Sequence, residues 1–163
     1  MIRPLLVALG LGIVTLIGSW HAAGAGAATG NAALALVTQK TSSLDGLSLR
    51  EVKRLYLGEH VDTPDGKKLV PINQAPRSAV RGEFERLVLR MSPDEVGRFW
   101  IDRKIRGQPG PPRAVSSVDL LRRAAASMPG TVAYLKTSEI GAELKVLRVE
   151  GKRPGEPGYP LEY

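Results

Sequence analysis

The sequence contains no cysteine, only two histidines, and eight aromatic residues in 163. Without thiols there are no disulfides, no thiolate metal sites and no cysteine nucleophile. Small exported domains often lean on disulfides, so stability here must come from apolar burial alone. A chain of this length suffices for one ordinary domain and is short for two independent cores. The scarcity of aromatics excludes a further class. The basic residues Arg50, Lys53, Arg54, Arg77, Arg81, Arg86, Arg90, Arg103, Lys104 and Arg106 are spread along the chain without interleaved rings. Nucleic-acid binding through base stacking is therefore not expected.

Catalytic patterns are equally sparse. There is no Walker or dinucleotide glycine pattern. His60 is the one histidine outside the N-terminal stretch, beside Glu59 and Asp62. That is too few convergent ligands for a metal centre, and no spacing points to a Ser-His-Asp arrangement. The expectation is a protein that is not an enzyme and holds no metal or cofactor.

What is present begins with an export signal. Arg3 precedes an uncharged, mostly apolar run from Leu5 to Gly18, and small residues follow from Ala22 to Ala28. The order basic, apolar, small is the secretory layout, with cleavage expected after Ala25 or Ala27. The apolar run falls short of the ~20 residues that a spanning helix requires. Residues 1–27 are thus read as a signal peptide, with an uncleaved N-terminal anchor as the alternative, 28–150 as the domain and 151–163 as a Gly/Pro-rich extended tail. The expected location is the periplasm, with no stable membrane anchor after cleavage. The whole chain carries a formal charge of +7, which becomes +6 without Arg3. Such a surface attracts anions without a dedicated site.

Hydrophobic periodicity supplies the element order. Ala32 to Val37 is continuously apolar and predicts a buried strand. Ser48 and Glu51 form a capping box ahead of Leu49, Val52, Leu55 and Tyr56, and Gly58 ends that short helix. Asp65-Gly66 marks a turn before a second strand over Lys68 to Ile72. Val80, Phe84, Leu87, Val88 and Met91 share one helix face. Ser92-Pro93-Asp94-Glu95 opens the next helix, with Val96, Phe99 and Trp100 directed inward. Gly107 to Pro112 reads as a rigid loop. Ser116 to Asp119 opens a further helix whose Leu121, Ala124, Ala125 and Met128 face the core, and Pro129-Gly130 ends it. Thr131 to Leu135 and Glu143 to Val149 complete the order β-α-β-α-α-α-β-β. Strands joined by helical crossovers imply an α/β layer structure with a partly parallel sheet.

Five segments in register carry a resemblance. Leu47 to Gly58, Asp65-Gly66 with Leu69 to Ile72, Arg77 to Phe84, Phe99-Trp100 with Ile105 to Pro112, and Met128 to Leu135 resemble the corresponding segments of phosphate-binding proteins of ABC transporters. The resemblance runs from about Ala33 to Val149. It implies one lobe of a type II periplasmic-binding-protein fold, a mixed sheet flanked by helices, standing alone without its second lobe. It further implies an oxyanion site at Arg77, Ser78, Ala79, Val80 and Arg81, matching a turn where the family has Ser-Gly-Thr at a helix N-terminus. Free N–H groups and the helix dipole favour an anion there, and arginine adds a bidentate clamp. Ala79 and Val80 depart from the glycine and threonine, removing one hydroxyl and some backbone freedom. Ser78 thus has two readings, a helix cap or a weakened remnant of an oxyanion site.

Two functions follow. One is weak binding of phosphate or a similar oxyanion, linked to transport or sensing. The other is a non-enzymatic envelope interaction module that uses the fold as a scaffold. Its partner would be an envelope protein or an anionic surface; a homodimer would rebuild a two-walled cleft and favour the oxyanion reading instead.

Overall fold

The computed structural model describes residues 32–163, so the expected signal peptide lies outside the described residues. Among the described residues, seven strands and four α-helices form a mixed α/β structure. The strands are β1 (Leu34–Gln39), β2 (Gly46–Leu47), β3 (Val70–Gln74), β4 (Arg113–Val115), β5 (Thr131–Lys136), β6 (Leu144–Val146) and β7 (Arg148–Val149). The helices are α1 (Leu49–Tyr56), α2 (Ala79–Phe84), α3 (Pro93–Ile105) and α4 (Val118–Ser127). Five strands make one sheet in the order β4-β3-β5-β1-β6, and β2 pairs with β7 apart from it. β3 runs parallel to both β4 and β5, whereas β1 is antiparallel to β5 and β6. The partly parallel sheet expected from the helical crossovers is thus present.

Alternation along the central strands divides the core in two. Leu34 and Leu36 of β1, with Val132 and Tyr134 of β5, face α1, α2 and Trp100 of α3. Ala35 and Val37, with Ala133 and Leu135, face Leu121 and Ala125 of α4. Both faces of a strand are buried, which explains why Ala33 to Val37 reads as a continuous apolar run. Two glycines permit close backbone approach. A Cβ on Gly46 would lie 2.8 Å from the carbonyl oxygen of Arg148, and one on Gly130 would lie 2.5 Å from that of Lys68. Gly130 also has a φ of 76°, in the left-handed region.

The caps are as expected. Ser48 and Glu51 reciprocally cap α1, Ser92 and Glu95 cap α3, and Ser117 caps α4. Several details differ. The helix opened by Ser78 becomes a π-helical turn over Glu85–Leu89 and stops at Arg90, whose φ is 55°. That wider turn buries Glu85, Val88 and Leu89, while Leu87 and Met91 pack at the margin of the core. Met128 was expected to face inward but is exposed, because α4 ends at Ser127 and Met128 is already extended. The strand read over Lys68 to Ile72 lies two residues later. Glu143 to Val149 is broken into β6 and β7, with Leu147 buried between them.

The Gly/Pro-rich segment 151–163 docks onto the sheet. The N–H of Leu34 donates to the carbonyl of Leu161, and that of Tyr163 donates to the carbonyl of Ala32. The Tyr159 hydroxyl donates to the Leu34 carbonyl at 2.9 Å. Tyr159 and Leu161 are both buried in the larger core. The segment therefore satisfies the part of the β1 edge that β6 leaves open.

Candidate functional site

The sheet topology singles out one place. β3 leads into α2 on one face, and β4 leads into α4 on the other. Adjacent parallel strands whose helices leave to opposite faces open a crevice at their carboxyl ends, where α/β sheets bind ligands. At that end of β3 lies the turn Ala75-Pro76-Arg77-Ser78.

The turn is built from its sequence. Arg77 takes a φ of 67°, and the N–H of Ser78 donates to the Ala75 carbonyl at 3.2 Å. Ser78 then caps α2, its Oγ accepting from the N–H of Arg81 at 3.2 Å. A hydroxyl that accepts one bond keeps its own proton to donate. The cap and a contact to an anion are therefore compatible. The N–H groups of Ala79 and Val80 make no backbone hydrogen bond among the described residues, as first-turn donors do.

The five residues implied by the resemblance do not all converge. Arg77 and Ala79 are exposed, and Ser78 is half-buried. Val80 is buried in the core, so it offers only its backbone N–H. Arg81 points inward. Its Nε donates to Glu85 Oε1 at 2.7 Å, and a second guanidinium nitrogen lies 3.4 Å from the Gln74 carbonyl. Arg77, Ser78 and the two N–H groups are thus available at the turn, while Arg81 is neutralised.

Glu85 is the residue that sequence reasoning missed. It is 5% exposed and stands four residues after Arg81. The i, i+4 spacing of opposite charges on a helix was the visible signal. Beneath the turn, the Tyr134 ring stacks on Phe84 at 3.8 Å with planes 3° apart. The Tyr134 hydroxyl donates to Asn73 Oδ1 at 3.0 Å, and Gln74 Nε2 donates to the Tyr134 carbonyl at 3.0 Å. Burial pushes the Tyr134 hydroxyl well above the usual phenol range, which keeps it a neutral donor. These bonds fix the end of β3 against β5 and hold the turn in place.

Other candidates lie apart. His60 Nε2 is 2.7 Å from Asp62 Oδ1 in an exposed pair near the start of β3, far from Ser78 along the strand. Among the described residues no group of three or more His, Cys, Asp or Glu side chains is placed to hold a metal. Among them, too, no helix is long and apolar enough to cross a membrane.

Known structures share this fold over part of their length. An ABC-type phosphate transport receptor from Vibrio cholerae superimposes with a TM-score of 0.61 at 16% identity, over 77% of this chain and 49% of that one. A substrate-binding protein of an ABC transporter from Clostridium perfringens, solved with phosphate bound, gives 0.61 at 15% identity, over 77% and 48%. PstS from Borrelia burgdorferi gives 0.60 at 15% identity, over 82% and 55%. The fold is one lobe of a type II periplasmic binding protein. This single-lobe fold spans about half the length of the receptors it matches. No family model matches the sequence, and no curated protein matches it. At these identities the single-lobe likeness is one of fold.

Proposed function

We propose that the chain is an exported, non-enzymatic receptor-like domain that contacts phosphate or a similar oxyanion weakly at the turn between β3 and α2. The observation that carries this reading is the turn itself. It presents Arg77, the Ser78 hydroxyl and two first-turn N–H groups at the carboxyl end of β3, in a fold shared with a phosphate transport receptor and a phosphate-bound substrate-binding protein. Oriented N–H groups and a cation suit a tetrahedral oxyanion. Weak affinity follows from one feature: Glu85 already neutralises Arg81, the inward-facing arginine of the turn.

Calorimetric titration with phosphate and sulfate, at low and moderate salt, tests the reading. Saturable binding that Arg77→Ala weakens and moderate salt leaves in place supports it. Heat that fades with salt and ignores Arg77→Ala means diffuse attraction to a basic surface, and sinks it. The second reading is an envelope interaction module. It is favoured by the same Arg81–Glu85 pair, which leaves the anion site one clamp short.

A further inference from the structure

Away from the Ser78 turn, at the opposite end of β3, the surface is apolar and basic at once. Ile101 and Ile105 stand on one face of α3, one turn apart, and are 62% and 79% exposed. Beside them is an open cleft of about 380 Å³, lined by Trp100, Ile101 and Lys104 of α3 and by Gly110 and Pro111 of the following loop. A second cleft of about 380 Å³ lies across the Gly107–Pro112 loop. Leu55, Leu69, Val70 and Pro71 contribute to it, with Lys68 and Arg113 among its lining residues. Both clefts share Gly110, so the surface is continuous through that loop.

Charge says what would cover it. Between Val96 and Val118 the chain has five basic residues, Arg98, Arg103, Lys104, Arg106 and Arg113, against one acidic residue, Asp102. Asp102 is paired with Arg106, and Glu59 at the second cleft is paired with Arg54 at 2.6 Å. Lys68, Arg98, Lys104 and Arg113 have no carboxylate partner among the described residues. Isolated exposed leucines and isoleucines are ordinary. Two in line beside apolar clefts, ringed by unpaired cations, are not.

We infer that this surface docks an acidic amphipathic segment of another protein, whose apolar side chains enter the clefts while its carboxylates meet Lys104, Arg98, Lys68 and Arg113. A second copy of the chain is disfavoured by its own charge of +7. The clefts are recessed, which suits protruding side chains better than a flat anionic bilayer. Helix-in-groove recognition uses such anchors at i, i+4 spacing, and the cations supply orientation and encounter rate. This inference is independent of the oxyanion reading, because Arg77 and Ser78 lie at the other end of β3.

The test is titration of the full chain with a short helical peptide of leucine and glutamate and with its leucine–lysine counterpart. Vesicles of phosphatidylglycerol and of phosphatidylcholine serve as further probes. The glutamate peptide is expected to bind saturably, and about tenfold more tightly than the lysine peptide. Ile101→Ser with Ile105→Ser is expected to weaken binding about tenfold, as is Lys104→Glu. All three changes are on the exposed surface, and circular dichroism checks that folding is kept. Arg77→Ala is expected to leave peptide binding unchanged, which separates this surface from the anion turn. Equal binding of the two peptides, or no loss in the isoleucine variant, overturns the inference. Binding to phosphatidylglycerol vesicles without binding to the glutamate peptide overturns it in favour of a membrane surface.

Discussion

Arg81 and Glu85 form a largely buried ion pair at the base of the candidate site, 2.7 Å apart, with side chains 15% and 7% exposed. The pair places an internal carboxylate on the one inward-facing arginine of the turn. A guanidinium engaged this way contributes little to holding an external anion.

Replacing Glu85 by Gln releases that charge. Glu85→Gln is expected to lower stability by about 1–3 kcal/mol, because Arg81 loses its charged partner in a buried setting. Phosphate affinity is expected to rise several-fold. Thermal melts and calorimetry read the two effects separately. An unchanged affinity would place Arg81 outside the anion site.

Ser78 has two tasks that substitutions can separate. Ser78→Ala removes the cap and is expected to cost about 1 kcal/mol, whereas Ser78→Gly costs only a few tenths. Both remove the hydroxyl from a bound anion. Chemical denaturation and phosphate titration of the two variants, side by side, distinguish a cap from a ligand contact. Phosphate binding that survives in Ser78→Gly would show that the hydroxyl serves the helix alone.

Leu161 is fully buried and lies on the segment that pairs with the start of β1. Leu161→Ala is expected to destabilise the fold by about 2–5 kcal/mol, the range for emptying a packed leucine site. A loss below about 0.5 kcal/mol, the usual limit for surface changes, would show that the docked tail is peripheral in solution.

The capping box of α1 predicts acid sensitivity. The backbone N–H and hydroxyl of Ser48 hold the Glu51 carboxyl below its ordinary value of 4.5. A depressed carboxyl stabilises the folded state above its unfolded value, and the contribution fades as pH falls through the folded value. Glu51→Gln is therefore expected to be less stable than the parent at neutral pH. The difference should shrink below the ordinary carboxyl range, as melts between neutral and acid pH would show. A gap that stays constant across that range would rule out the carboxylate as its source.

Local chemistry alone was enough for much of the fold. Ser48 with Glu51, Ser92 with Glu95, and Gly130 after α4 mark element ends because caps and positive φ are decided by residues a few positions apart. The apolar run at Ala32 to Val37 signalled a buried strand, and the structure buries it on both faces. The turn at Arg77 to Arg81 was singled out by the resemblance to phosphate-binding proteins, not by local chemistry. Its capping geometry at Ser78 was one of the two readings open from the start.

Other features depended on the chain's return to itself. Gly151 to Tyr163 has no periodicity, yet Tyr159 and Leu161 become buried because β1 exposes an edge that only the folded sheet creates. Arg81 looked available because its charge was visible, while the burial of Glu85 arises from the π-helical turn. Ile101 and Ile105 carry the same apolar character as core residues. Only the packing of α3, through Val96 and Trp100, decides which side of that helix is left outside. Sequence determines hydrophobicity, charge and local geometry; which groups meet and which remain uncovered is set by long-range packing.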